Sequence, residues 1–358
     1  MSSNSSTQAS QALDQQTQAS LPHRLVHFLF GSWENTQLTF SFLLVILMAA
    51  FPFFTTSPYF LGIVVLAALY AYIGISWNIV SGLTGQLLIA HIIFIALGGY
   101  STIVLLNTYS VSPWIGILVG GLVAALAGWV IALITLRYGL KMDYFALFTI
   151  ALLVALRTLF LKWGFVGGAV GMWVRLNNPS FIKMVFADKA PYLYISLALL
   201  VIGIIIQYLI YRSKMGKYFM AIREDEDAAA ALGVDTSWYK TISVMIGAAM
   251  AGVGGGVYMM YVTFIDPTGV FNLGMNVEIV MAGPIIGGLG SLLGPILGAV
   301  VNKPIAELIR GYLSEGTSGI SLIVYGSFLV TSIMFMPHGL AGLLHSLYQK
   351  LTRPAAGK

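Results

Sequence analysis

Six ionisable side chains fall inside stretches that are otherwise apolar: His91, Arg157, Lys162, Glu278, Lys303 and Glu307. A charge far from water is costly unless it is paired or meets a water-filled passage, so such residues mark solute or proton routes by default. The imidazole of His91 can hydrogen-bond a solute or a neighbouring helix, and both readings stand. Arg157 follows ALLVAL and needs a carboxylate, a cluster of carbonyls or water; Glu278 is one candidate partner. Lys303 and Glu307 have the spacing of a helical ion pair. Lys162 lies near the end of its apolar run, where its stem can reach the interface. Glu278 opens an apolar stretch, where a carboxylate is either a solvated helix start or a pathway group. These groups are scattered and form no hydrolytic or metal-ligating pattern. The chain has no HExxH, no GxSxG and no GxxxxGK[ST], so neither a hydrolase signature nor a phosphate-cradling ATPase loop is present. We assign no catalytic residue, metal or cofactor, and the chain reads as a non-enzyme.

A second kind of residue group stands at Ala221–Gly233, AIREDEDAAAALG. Arg212, Lys214 and Lys217 lead into it, and Arg223, Glu224, Asp225, Glu226 and Asp227 open it. The alanines from Ala228 onward predict a short helix with a small-residue face, which Gly233 is placed to end. Apolar segments flank it on both sides. A charged, small-faced helix between two spans suits pressing against a water-soluble partner.

The elements that must position these groups are membrane helices. Of the 358 residues 58% are hydrophobic and 9% charged, and the mean hydropathy is +0.88. The runs approach the roughly 20 residues that a helix needs to cross a bilayer, and they lack barrel alternation. The fold class is therefore all-α and polytopic. Spans are predicted near 37–54, 59–80, 86–106, 113–136, 144–163, 192–211, 241–262, 277–290, 292–309 and 319–336. The segments near 277–290 and 292–309 contain Pro284 and Pro295 and read as short or broken helices. About ten segments result.

Residues 1–36 read as a disordered cytoplasmic tail, with no signal peptide in their Ser/Gln-rich start. Residues 37–345 form the membrane domain, including the charged segment 212–240, and 346–358 form a second tail. With both termini cytoplasmic, the inside segments hold eleven of the 18 Lys and Arg and the outside segments four. That asymmetry follows the positive-inside rule. The net charge of +5 is thus a matter of membrane topology, and nucleic acid is not expected as a partner. The absence of cysteine removes thiol and disulfide chemistry.

Glycine supplies 39 residues, above the usual ~7% share. Gly247, Ala251 and Gly255 share one helix face, as do Gly290, Gly294 and Gly298. Such ridges read as close helix packing. The prolines beside the second ridge add a broken helix lining a cavity as an alternative. Gly167, Gly168 and Gly171 permit tight turns after the fifth span.

Several segments together carry a resemblance to a known family. GLTGQLLIAHIIFIALGGYST (82–102), DYFALFTIALLVALRTLF (143–160), GKYFMAIREDEDAAAALGVD (216–235), IIGGLGSLLGPILGA (285–299) and MPHGLAGL (336–343) occur in that order. The chain resembles the longer type of branched-chain amino acid ABC transporter permease. Asp227-Ala228-Ala229-x-x-x-Gly233 is similar to the coupling core of ABC importer permeases.

The resemblance implies an ABC importer permease fold in a bacterial inner membrane. It implies two ATP-binding subunits that carry the ATP-Mg, a second permease and an external substrate-binding protein. Ala221, Arg223, Glu224, Asp225, Asp227, Ala228, Ala229 and Gly233 would couple the chain to the ATPase. Gln86, His91, Arg157, Gly167, Gly168, Gly171 and Glu278 are the pathway candidates. Three positions depart from the family pattern: Ala90, Val154 and Val166. They keep urea and short amides open beside branched-chain amino acids as cargo. A stand-alone secondary transporter or channel is the rival class. It explains the broken segments and buried charges but not the charged island.

Overall fold

The computed structural model describes residues 33–55, 57–138, 142–174, 180–313, 318–336 and 339–352. The N-terminal tail up to 32 and residues 353–358 lie outside them, so the expectations for those stretches do too. Helices are α1 (Trp33–Ala50), α2 (Pro58–Trp77), α3 (Ile92–Tyr109), α4 (Pro113–Arg137), α5 (Met142–Lys162) and α6 (Ala190–Arg212). Two short helices follow, α7 (Lys214–Glu224) and α8 (Glu226–Ala231), then the long α9 (Thr236–Val262). A broken stretch comprises α10 (Pro267–Val270), α11 (Leu273–Asn276), a π-helical turn (Val277–Met281) and α12 (Ala282–Gly287). The chain continues through α13 (Gly294–Leu313), α14 (Ser318–Phe335) and α15 (Gly339–Thr352).

Eight helical stretches among the described residues are long and apolar enough to cross a membrane. The apolar run Leu273–Gly287 is shorter, and α13 carries Lys303, Glu307 and Arg310. Counting these two reproduces the ten-segment reading. The helix α15 runs through Thr352, beyond residue 345 where the membrane domain was expected to end.

The centre is α2, buried along most of its length, with α6, α9 and α13 packed around it. Helices α3, α4 and α9 meet through glycine. A Cβ on Gly120 would stand 2.7 Å from the carbonyl oxygen of Gly98, and one on Gly252 2.8 Å from that of Gly120. The backbones touch, which is how small residues let membrane helices gain dispersion contacts without a hydrophobic drive. The ridge expected at Gly290, Gly294 and Gly298 does not form as one face. Gly288 and Gly290 have φ of 120° and 75°, so the chain leaves the helix there and only Gly294 and Gly298 lie on α13.

Gly167 (φ 82°), Gly168 (φ 53°) and Gly171 (φ 77°) form the tight turn after α5 that their spacing suggested. The turn delivers β1 (Met172–Trp173) to β2 (Phe264–Ile265) as an antiparallel pair, with Trp173 opposite Phe264. Asn107 Nδ2 donates to the Trp173 carbonyl at 2.9 Å and ties this end of the bundle to α3.

Candidate functional site

The charged island folds as a capped two-helix element. Ser213 accepts from the Gly216 amide at 3.1 Å and starts α7. Asp225 breaks the helix with extended backbone and accepts from the Ala228 amide at 2.9 Å, which starts α8. Asp235 accepts from the Trp238 amide at 3.0 Å and starts α9. Each carboxylate or hydroxyl satisfies a first-turn amide, so three starts fit within 23 residues of chain. Gly233 takes φ 87° and ends α8, the left-handed conformation that glycine adopts most readily.

Within this element the side chains divide into two sets. Ala221, Arg223, Glu224, Asp225, Asp227 and Ala228 are exposed, and Leu232 is 86% exposed. Ala229, by contrast, is 3% exposed, turned to the protein. It seats the helix and offers no surface to a partner. Leu232 was not singled out in the sequence, although an exposed leucine just before the terminating glycine was a usable signal.

Arg223 is the link between this element and the bundle. Its Nη1 donates to the Gly82 carbonyl at 2.7 Å, inside the π-helical turn Asn78–Leu83 that ends α2. The same guanidinium lies beside Gly290, the bend between α12 and α13, where a Cβ would collide with it. One side chain of α7 thus touches both backbone breaks at this end of the bundle. Glu226 adds an ion pair to Lys240 of α9. Gln86 Nε2 donates to the Lys240 carbonyl at 3.1 Å and to Ser243 Oγ at 2.9 Å. A cleft of about 260 Å³ lies between Gly85, Gln86, Ile222, Arg223 and Lys240.

The bend 288–293 is held by three buried amide side chains. Asn78 donates to the Ser291 carbonyl at 3.0 Å and accepts from the Gly290 amide at 2.8 Å. Gln207 donates to the same Ser291 carbonyl at 3.1 Å. Gln37 accepts from Leu292 and Leu293 at 2.8 and 3.3 Å. These amides supply the partners that lipid cannot, which is what tolerates irregular backbone at membrane depth. Asn78→Leu is expected to cost about 1–3 kcal/mol through the orphaned Gly290 amide. Thermal unfolding of the purified protein in detergent measures it; an unchanged midpoint would show that the bend has another partner.

His91 is fully buried. Its Nε2 lies 2.9 Å from Ser76 Oγ, which itself donates to the Ile73 carbonyl at 2.6 Å. Ser76 therefore receives the imidazole N–H, and His91 ties the start of α3 to α2. The packing reading of His91 is the one this geometry carries. Beside it Asn276 accepts from the Ile92 amide at 2.9 Å and donates to the Ile89 carbonyl, knitting the second broken stretch to the first.

The partner suggested for Arg157 is wrong. Glu278 pairs instead with Arg310 and, at 3.5 Å, with Lys303. Lys303 Nζ also meets Glu307 at 2.5 Å, and Arg310 Nη1 stands 3.6 Å from Glu307. The reason is positional: the π-helical turn swings Glu278 onto α13, which carries two cations on its facing side. Glu278 is buried there, so it is not a solvated helix start. Arg157 makes no ion pair among the described residues, and its Nε is buried without a hydrogen-bond partner. Gln86 and His91 share one irregular segment, whereas Arg157 and Gly167–Gly171 follow one another at the other end of α5. Gln86 lines the cleft beside Arg223 and Glu278 the cavity beside Arg310, so these two candidates do not share a cavity. Among the described residues no group of His, Asp and Glu is arranged to hold a metal ion.

The chain matches the family described as the permease component of branched-chain amino acid transport systems over residues 59–336. It is 28% identical over 320 residues to the high-affinity branched-chain amino acid transport system permease protein LivM of Escherichia coli (strain K12), covering 83% of this chain and 73% of that protein. It is 26% identical over 300 residues to the corresponding LivH of Salmonella typhimurium, covering 78% of this chain and 93% of that protein. A nucleoside ABC transporter permease protein, NupC of Lactococcus lactis subsp. cremoris, matches 160 residues at 26% identity, or 42% of this chain. No solved structure matches the chain. With the match running from the first residues of α2 to the end of α14, this multi-pass membrane protein belongs to the permease-component family of branched-chain amino acid transport systems.

Proposed function

We propose that this chain is a membrane-spanning permease subunit of an ATP-driven importer for branched-chain or similar hydrophobic amino acids. The element α7–α8 meets an ATP-binding subunit on the cytoplasmic side of a bacterial inner membrane, and both termini lie on that side. Two ATP-binding subunits hold the ATP-Mg, a second permease completes the membrane part, and an external binding protein delivers the solute. The observation that carries this reading is the reach of Arg223 to both the Gly82 turn and the Gly290 bend. A push on α7–α8 moves the guanidinium against two breaks in two different spans. Breaks in membrane helices are where transporter helices rearrange.

The membrane helices here do no chemistry. Their work is to present two arrangements of one route, and the partner's ATP supplies the bias between them. The family's description as a branched-chain amino acid transport component supports a small, largely hydrophobic solute as the cargo.

The test is a mild-detergent pull-down of the tagged chain, read by mass spectrometry, together with uptake of labelled leucine, isoleucine and valine. Two Walker-motif ATPases and a second permease should come with it, and uptake should stop on ATP depletion. A chain recovered alone, with ATP-independent transport, would move the reading to a secondary transporter. Uptake of urea or short amides in place of amino acids would correct the cargo only. Arg223→Ala should keep the partners in the pull-down while lowering uptake about tenfold, equal to roughly 1.4 kcal/mol of lost coupling. Wild-type uptake in that variant would remove Arg223 from the coupling route.

A further inference from the structure

At the end of the bundle opposite α7–α8, a short turn carries two large apolar side chains outward. Ser180 and Val185 close it as an antiparallel bridge, with amide-to-carbonyl bonds of 2.9 and 3.1 Å. Met184 sits in the left-handed region at φ 52° and is fully buried, whereas Phe181 and Ile182 are each 69% exposed. The turn leads into α6, whose 23 residues span about 34 Å before α7 begins. It therefore lies at the far boundary of the membrane from the charged island.

The depth of the turn is set by the start of α4. Ser112 Oγ donates to the Ile182 carbonyl at 2.7 Å and Trp114 Nε1 to the Phe181 carbonyl at 2.9 Å, with the Trp114 and Phe181 rings 5.3 Å apart. The Tyr192 hydroxyl donates to the Met184 carbonyl at 2.9 Å. With the bridge, five of the six carbonyls in 180–185 receive a protein donor. A loop in water can leave its carbonyls to the solvent, but a loop against hydrocarbon needs partners of its own. From Trp114 onward α4 is a span whose exposed side chains, Ile115, Leu118, Leu122 and Leu126, are all apolar. Tyr109, exposed at the end of α3, and Trp114 are the aromatic types that gather at headgroup level. Lys183, next to Ile182, is exposed as well.

We propose that the turn 180–185 is a lipid anchor. Phe181 and Ile182 enter the boundary between headgroups and acyl chains beside the lipid face of α4, as the apolar side of an interfacial element does. Lys183 keeps its ammonium among the headgroup phosphates, the arrangement that a long basic stem allows. The lipid surface is the occupant that the satisfied carbonyls favour over a water-soluble protein. The anchor fixes the depth of the segment between α5 and α6, and with it the start of α6. It rests on α4 crossing the membrane and is independent of the cargo and of the ATPase contact.

The chain has no cysteine, so a nitroxide can be placed at one position, with the wild-type complex setting the background from any partner thiols. Ile182→Cys, Phe181→Cys and, on the α4 face, Leu118→Cys are labelled in the full complex and reconstituted in bilayers of the native phospholipids. Collisions of each label with molecular oxygen, which enters hydrocarbon, and with a neutral nickel chelate, which stays in water, are then read by electron paramagnetic resonance. Labels at 181 and 182 should meet oxygen more often than the chelate, as at 118 but nearer the surface. In detergent-free water-exposed loops the order is reversed, and that result at 181 and 182 would overturn the anchor. Shielding from both reagents, or oxygen collisions that fall when an external binding protein is added, would mean that a protein covers the turn and would equally overturn it. None of these readings depends on uptake, so loss of the importer reading would leave the anchor standing, and the reverse holds too.

Discussion

Lys303→Met should be among the most destabilising single substitutions in this chain, costing about 3–5 kcal/mol. Lys303 is 1% exposed, and its ammonium stands between Glu278 and Glu307 with the Tyr70 ring 5.1 Å away. Removing it leaves two carboxylates and one cation in a buried cluster, with Arg310 to serve both acids. The loss comes from the charge left behind more than from the bond removed. The double variant Lys303→Met/Glu307→Gln is therefore expected to recover most of the stability. Thermal or denaturant unfolding of the four members of that cycle in detergent would measure it. If the double variant were as unstable as Lys303→Met alone, packing of the lysine stem would be the cause and the charge argument would fail.

Which parts of the molecule were legible in the sequence follows from the range of the interactions involved. Apolar runs are local, and the ten segments near 37–336 were readable from length and hydropathy alone. The caps of the charged island are local too. Asp225 three residues before Ala228, and Asp235 three before Trp238, are within-turn contacts. The break at the 288–293 glycines was visible as composition, though not that Gly290 would leave the ridge it shared in spacing with Gly294 and Gly298; Pro284, expected to break its segment, lies inside α12. What could not be read was pairing across distance. Glu278 finds Arg310 from 32 positions away, and Asn78 finds Ser291 from 213. No local pattern encodes either contact. A weaker signal existed for the amides: Gln37, Asn78, Gln207 and Asn276 are polar side chains in apolar runs, and buried amides must find partners. The inward turn of Ala229 was likewise hidden, because a run of four alanines has no hydrophobic asymmetry to give its facing.

That facing decides which substitution tests the ATPase contact. Ala229→Arg would force a long cation into the seat of α8, and loss of uptake would then follow from a displaced helix whether or not a partner binds there. Leu232→Glu avoids this. Leu232 is 86% exposed, and it precedes Gly233, whose left-handed turn sets the end of α8 without help from any side chain. The variant should insert, keep its stability within the roughly ±0.5 kcal/mol typical of surface changes, and retain the Glu226–Lys240 pair. If the exposed leucine is the apolar anchor that enters a cleft on the ATP-binding subunit, burying a carboxylate in its place costs several kcal/mol at the interface. The expected result is at least a hundredfold fall in uptake, with the ATP-binding subunits missing from the pull-down and the second permease still present. Leu232→Met, which keeps the apolar volume, should restore both. Full uptake by Leu232→Glu would show that the contact lies elsewhere on the island, and Glu224, Asp227 and Ala228 would be next to test.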